Sequence, residues 1–128
     1  MLFLGEYQGS FSGPGRILLP KKMRELLKGS SFVLTRGLDK CLSGYDSTEY
    51  EAKAKELFQT SMLDNTKLAE RRILFASTVY VEFDEQGRFV IPKHLMEYAN
   101  LGKNVAIVGV GDHFEVWDAL SWAKYKNN

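Results

Sequence analysis

Apolar positions along this chain fall into short runs separated by glycine-bearing turns, and the runs come in a repeating order. Val79-Tyr80-Val81-Glu82-Phe83 carries β-branched and aromatic residues in extended spacing, which predicts a strand ending near Phe83. A matching strand ends near Phe11. A turn follows each, Ser12-Gly13-Pro14-Gly15 and Asp84-Glu85-Gln86-Gly87, because glycine supplies the backbone freedom of a tight reversal. Short apolar strands come next, over 16–19 and 88–91. Pro20 and Pro92 suit the first helical position, where a missing N–H costs nothing. The helices run to about Leu27 and Ala99, with Met23/Leu27 and Leu95/Ala99 spaced i,i+4 on one face.

Two more strands are predicted in each half, over 32–35 and 41–45, then over 105–108 and 113–117. Asp46 and Asp118 stand where helix N-caps belong, and Glu49 three residues after Asp46 completes a capping-box pattern. Tyr50, Ala54, Leu57 and Phe58 keep helical apolar spacing beyond it. A polar break over 61–65 precedes a helix over about 66–76.

Sliding the sequence by 72 residues superposes the two halves without a gap. Gly15-Arg16 falls on Gly87-Arg88, Pro20-Lys21 on Pro92-Lys93, Phe11 on Phe83, Glu25 on Glu97, Gly37 on Gly109 and Asp46 on Asp118. Tyr45 and Tyr50 fall on Trp117 and Trp122, a recurrence that favours packing over base stacking. The chain is therefore expected to hold a first repeat over 1–56, a connecting helical segment over 57–77 and a second repeat over 78–128. Each repeat reads β-β-α-β-β-α in about 50 residues, too few to bury a comfortable core alone. The two copies are expected to pack on each other.

Composition narrows the functions open to such a chain. With 128 residues, 45% hydrophobic and 26% charged, it can build a core and is not a disordered polymer. Its apolar runs are too short to span a bilayer, and the opening Met1-Leu2-Phe3-Leu4 lacks the basic start of a signal peptide. The single cysteine, Cys41, excludes an internal disulfide and a Cys-rich zinc site; a reducing cytoplasm fits, and so do other places where no disulfide is needed. The net charge of +1 by itself points to no polyanion. Its distribution says more. Residues 1–46 hold seven Lys/Arg against four Asp/Glu, 47–78 five of each, and 79–128 five against seven. The positive surface belongs to the first repeat.

Residues 4–27 and 79–118, with Gly-Arg and Pro in register twice, resemble the MraZ family of bacterial transcriptional regulators. Family repeats are AbrB-like (SpoVT-AbrB), each with an Asp-x-x-x-Arg turn, a short strand and Ile-Pro. The resemblance implies an α+β fold of two tandem swapped-hairpin β units with short helices. It implies a ring-like homo-oligomer, nucleoid-associated in the cytoplasm. Such a protein would bind tandem short repeats of double-stranded DNA upstream of the cell-division and cell-wall gene cluster as a repressor. No catalysis, cofactor, metal, membrane or small-molecule substrate is implied. The second repeat carries the complete turn, Asp84 to Arg88; the first has Ser12 in place of the Asp and Pro14 where Lys is usual. Arg24 matches a family arginine after the proline, and Met96 stands in its place in the second repeat.

The expected DNA-contacting residues are Arg16, Lys21, Lys22, Arg24, Arg88 and Lys93, with Ser12, Gly15, Asp84 and Gly87 shaping the turns. Arginine's planar fork can grip phosphate or guanine in bidentate fashion. For Arg88 an ion pair with Asp84 competes with DNA contact, whereas Arg16 has lost that carboxylate. The first repeat is therefore expected to do most of the binding. Arg71 and Arg72 beside Glu70 read as a solvated face. Cys41, His94 and His113 supply no triad or ligand cluster at useful spacing. The competing reading is an oligomeric protein-interaction scaffold or antitoxin-like module. The short stretch after Trp122 speaks against a toxin-holding tail.

Overall fold

The computed structural model describes residues 1–58 and 65–128, and the side chains of all but 57–66. The first repeat contains β1 (Glu6–Ser10), β2 (Arg16–Leu18), α1 (Lys21–Arg24), β3 (Ser31–Arg36), β4 (Leu42–Asp46) and α2 (Ser47–Phe58). After α3 (Asn65–Ser77) the second follows the same order: β5 (Val79–Glu82), β6 (Arg88–Val90), α4 (Lys93–Tyr98), β7 (Asn104–Gly109), β8 (Phe114–Asp118) and α5 (Ala119–Lys126). The expected β-β-α-β-β-α order is present twice. Residues 61–64 of the expected polar break lie outside the described residues, and Asn65 is already helical.

The repeats interlock rather than sit side by side. One six-stranded antiparallel sheet runs β1-β7-β8-β4-β3-β5, and a separate ribbon pairs β2 with β6. Each repeat thus gives its first strand to the other repeat's third strand: Tyr7 pairs with Ile107, and Phe32 with Val81. A pseudo-two-fold axis passes between Ser43 and Glu115 in the β4–β8 pair and between Ile17 and Phe89 in the ribbon. Each of these pairs joins residues 72 apart. The core lies between ribbon, sheet and the short helices, where Ile17, Phe89, Phe32 and Phe114 are all buried. Phe32 sits at its centre, 5.0 Å from the Phe89 ring and 5.5 Å from that of Phe114.

The ungapped superposition fails locally. Glu6 pairs with Val108 and Gly9 with Val105, but on the other side Val79 pairs with Leu34 and Glu82 with Ser31. Structural equivalence between β3 and β7 therefore runs at 73, so Phe32 matches Val105 and Thr35 matches Val108. Gly109 corresponds to Arg36, not to Gly37. The second repeat has one residue more between its buried Ala99 and β7, and one fewer in the β7–β8 turn. In the first repeat that longer turn contains a 3-10 segment, Leu38–Lys40, with Asp39 and Lys40 both at positive φ. Both strands are buried on both faces, and a one-residue slip would take Phe32 and Leu34 of β3, or Val105 and Ile107 of β7, off the main core. Burial therefore sets this register, not the sequence spacing.

The prolines correct a second expectation. Pro20 and Pro92 are the N-caps, one position before the helices, with ψ of 140° and 151°. Their carbonyls accept the first helical N–H groups, from Met23 and Arg24 and from Leu95 and Met96, all at 3.0 Å. The α1 helix itself closes at Arg24, short of Leu27, and the chain reaches the buried Leu27 through further turns. Asp46 and Asp118 cap as expected, accepting from the backbone N–H of Glu49 and Ser121.

Candidate nucleic-acid interface

The ribbon's short strands alternate sharply. Ile17 and Phe89 point into the core, so the flanking positions must point out. Arg16 pairs with Val90 and Leu18 with Arg88, which leaves one outward face of two arginines and two aliphatic residues. Leu18 and Val90 are each about half exposed, at 50% and 47%. A two-stranded ribbon of this kind has the dimensions to enter the major groove of B-DNA.

Both turns that feed the ribbon close in the same way. The Ser12 N–H donates to the Arg16 carbonyl at 3.0 Å and the Asp84 N–H to that of Arg88 at 2.8 Å. Gly15 and Gly87 both adopt positive φ, +71° and +83°, where a side chain would be strained. Each glycine carbonyl also accepts from the opposite repeat, Gly87 from Leu19 N–H and Gly15 from Ile91 N–H. Replacing Asp by Ser at 12 and the presence of Pro14 leave this closure intact.

The turns differ in what holds the arginine. Asp84 accepts from the N–H groups of Gln86 and Arg88, both at 2.9 Å, and pairs with Arg88 Nε at 3.0 Å. Those bonds, the Arg88 N–H first, hold the Asp84 carboxyl below its ordinary range. In the first repeat the Arg16 N–H turns to the Gly13 carbonyl instead. The exposed Arg16 guanidinium has no ion pair among the described residues.

The remaining expected residues lie on the short helices that follow the ribbon strands, α1 and α4. Lys21 and Lys22 are exposed on α1. Lys93 is nearly free in solvent and lies 3.9 Å from Glu97 one turn along α4. Arg24 is half-buried and donates from Nε to the Leu19 carbonyl at 2.9 Å, an engagement the sequence did not announce. Met96, in the equivalent place, packs against the core.

The other candidates behave as structural groups. Cys41 is buried and donates to the Leu38 carbonyl at 3.0 Å; burial pushes its thiol far up, so it is not a ready nucleophile. His94 bonds the Ser77 carbonyl. His113 stacks on Tyr45 at 4.5 Å and bonds Asp112. Trp117 packs on Trp122 as Tyr45 packs on Tyr50. Among the described residues no cluster of three or more His, Cys, Asp or Glu could hold a metal ion. No described helix is long and apolar enough to cross a membrane.

Comparison with known proteins adds three relatives and a family. The family profile described as "MraZ protein, putative antitoxin-like" matches residues 2–75 and again 74–128. A protein of Acetivibrio thermocellus named "Transcriptional regulator MraZ" is 42% identical, over 99% of this chain and 88% of its own length. Proteins of the same name from Limosilactobacillus fermentum and Lactiplantibacillus plantarum are 37% and 38% identical. Each match covers 98% of this chain, and 87% and 88% of theirs.

Proposed function

The chain belongs to the MraZ family, and from that footing we propose that it is a DNA-binding transcriptional regulator whose β2–β6 ribbon enters the groove. The observation that carries this reading is the ribbon's outward face, where Arg16, without an ion pair among the described residues, stands next to Leu18 and the exposed Lys21 and Lys22 follow on α1. Arg16 reads or clamps, the lysines neutralise phosphate, and Arg88 and Lys93 add a weaker second set. No step of catalysis and no cofactor enters this function.

The protein acts as a repressor on the cell-division and cell-wall gene cluster through repeated upstream boxes, in the cytoplasm and on the nucleoid. A ring-like homo-oligomer repeats the ribbon at fixed spacing, so later contacts become intramolecular and modest affinities multiply. Exposed edge strands β1 and β5, with Tyr80 63% and Leu4 65% exposed beside them, favour association between copies. The same surfaces favour the second reading, an oligomeric or antitoxin-like scaffold. Gel shifts on the operon's own upstream repeats, over a salt series, separate the two. Steeply salt-dependent shifts are expected, and no shift at low salt overturns the DNA-binding reading and leaves the scaffold.

A further inference from the structure

The two repeats differ at one position that reaches across the pseudo-two-fold axis. Arg24 belongs to the first repeat, yet its guanidinium lies against Gly87 in the turn of the second. The space a Cβ at 87 would occupy is filled by Cζ, Nη1 and Nε of Arg24. The side chain is anchored from behind, since Nε donates to the Leu19 carbonyl at 2.9 Å. Leu19 in turn donates its N–H to the Gly87 carbonyl at 3.0 Å. Leu19, Arg24 and Gly87 thus close a small circuit between the repeats.

The opposite turn has no such circuit. Ile91 N–H donates to the Gly15 carbonyl at 2.8 Å, but Met96 has no donor and packs into the core. What crowds Gly15 is the backbone of Ile91, not a side chain. Ser12 also brings no carboxylate to that turn. The second turn is therefore held from inside by Asp84 and from beneath by Arg24, and the first by neither.

We infer that Arg24 is a positioning residue: from the first repeat it braces the Asp84–Arg88 turn of the second and sets the direction in which Arg88 leaves the ribbon. Its importance for DNA rests on the reading proposed above; the brace itself does not. A held arginine loses less freedom on binding than a free one. The ribbon then offers one fixed fork, Arg88, and one adaptable fork, Arg16.

The test uses the full chain with Arg24→Met, which copies the second repeat's own residue, and Arg24→Lys, which keeps charge but not the planar fork. Circular dichroism checks that both fold. Amide exchange needs no DNA: protection at Gly87 and Arg88 is expected to fall about ten-fold in both variants, with residues 13–16 unchanged. Unchanged exchange at 87 and 88 overturns the brace. On DNA carrying the upstream repeats, both variants are expected to weaken binding about ten-fold without altering the slope of log K against log salt. A phosphate contact would instead lower that slope by about one on Arg24→Met and be restored by Arg24→Lys, and this result overturns the positioning role. If the unaltered protein binds no such DNA, the regulator reading fails and exchange alone decides the brace.

Discussion

Arg88 Nε lies 3.0 Å from the Asp84 carboxylate, while Arg16, at the same place in the other repeat, has Ser12 in place of that aspartate and keeps its fork free of ion pairs among the described residues. Binding through Arg88 must loosen or share an existing pair; binding through Arg16 does not. Alanine at Arg16 is accordingly expected to abolish DNA binding in a gel shift while leaving the oligomer's size unchanged by light scattering. Alanine at Arg88 should cost less, and equal losses would defeat the asymmetry.

Ser12→Asp would install the missing carboxylate in the first turn. It should capture Arg16 as Asp84 captures Arg88, weakening DNA binding several-fold with stability unchanged or slightly raised. Unchanged or tighter binding, measured by fluorescence anisotropy, would contradict a free Arg16.

Lys21 and Lys22 are exposed on α1, and the proposed reading gives them phosphate contacts. The double change to glutamine should lower the slope of log K against log salt by up to about two per subunit and weaken all sequences alike. A loss confined to the specific boxes would assign them to base reading instead.

A cluster on the other face of the sheet sets a pH dependence. His113 bonds Asp112 at 2.7 Å, lies 3.9 Å from Glu115 and stacks on Tyr45, while Lys53 of α2 pairs with Asp112. Burial alone would lower the imidazole pKa, but the bonds to Glu115 and Asp112 outweigh it and raise it. Asp112 is held down to about 2, by Lys53 first and His113 next. A raised imidazole stabilises fully below its unfolded value of about 6.5 and loses that effect as pH rises through the folded value. The depressed carboxyl stabilises above about 4 and loses its effect as pH falls toward 2. Thermal stability should therefore decline from pH 5 to 8 in the native chain and decline less in His113→Gln. Identical pH slopes would remove the imidazole from the account.

Gly44 is required by a neighbour rather than by its own backbone. It pairs with Phe114 across the central β4–β8 pair, and the Phe114 ring fills the space of a Cβ at 44. Gly44→Ala should cost about 1–3 kcal/mol by overpacking, read by urea unfolding. Gly29, with open space around it, should accept alanine with only the strain of its positive φ.

What the sequence determined by itself is local: the order of elements in each repeat, the two Gly-Arg turns, the caps at Asp46 and Asp118, the buried stripe through Met23 and Leu95, and the Asp84–Arg88 pair. These follow from residues a few positions apart, where turn chemistry, capping and apolar period act within one element. The prolines were legible as helix starts, but cap rather than first-turn placement depended on ψ. Tertiary structure alone decided which strands pair, the 73-residue offset between β3 and β7, and the contact of Arg24 with Gly87. Pairing partners are chosen by burial of whole faces between distant segments, so no spacing along one repeat reveals them. The same holds for Arg24: nothing near it in sequence calls for an arginine, and its reason lies in a glycine 63 residues away that only the interlock brings under its guanidinium.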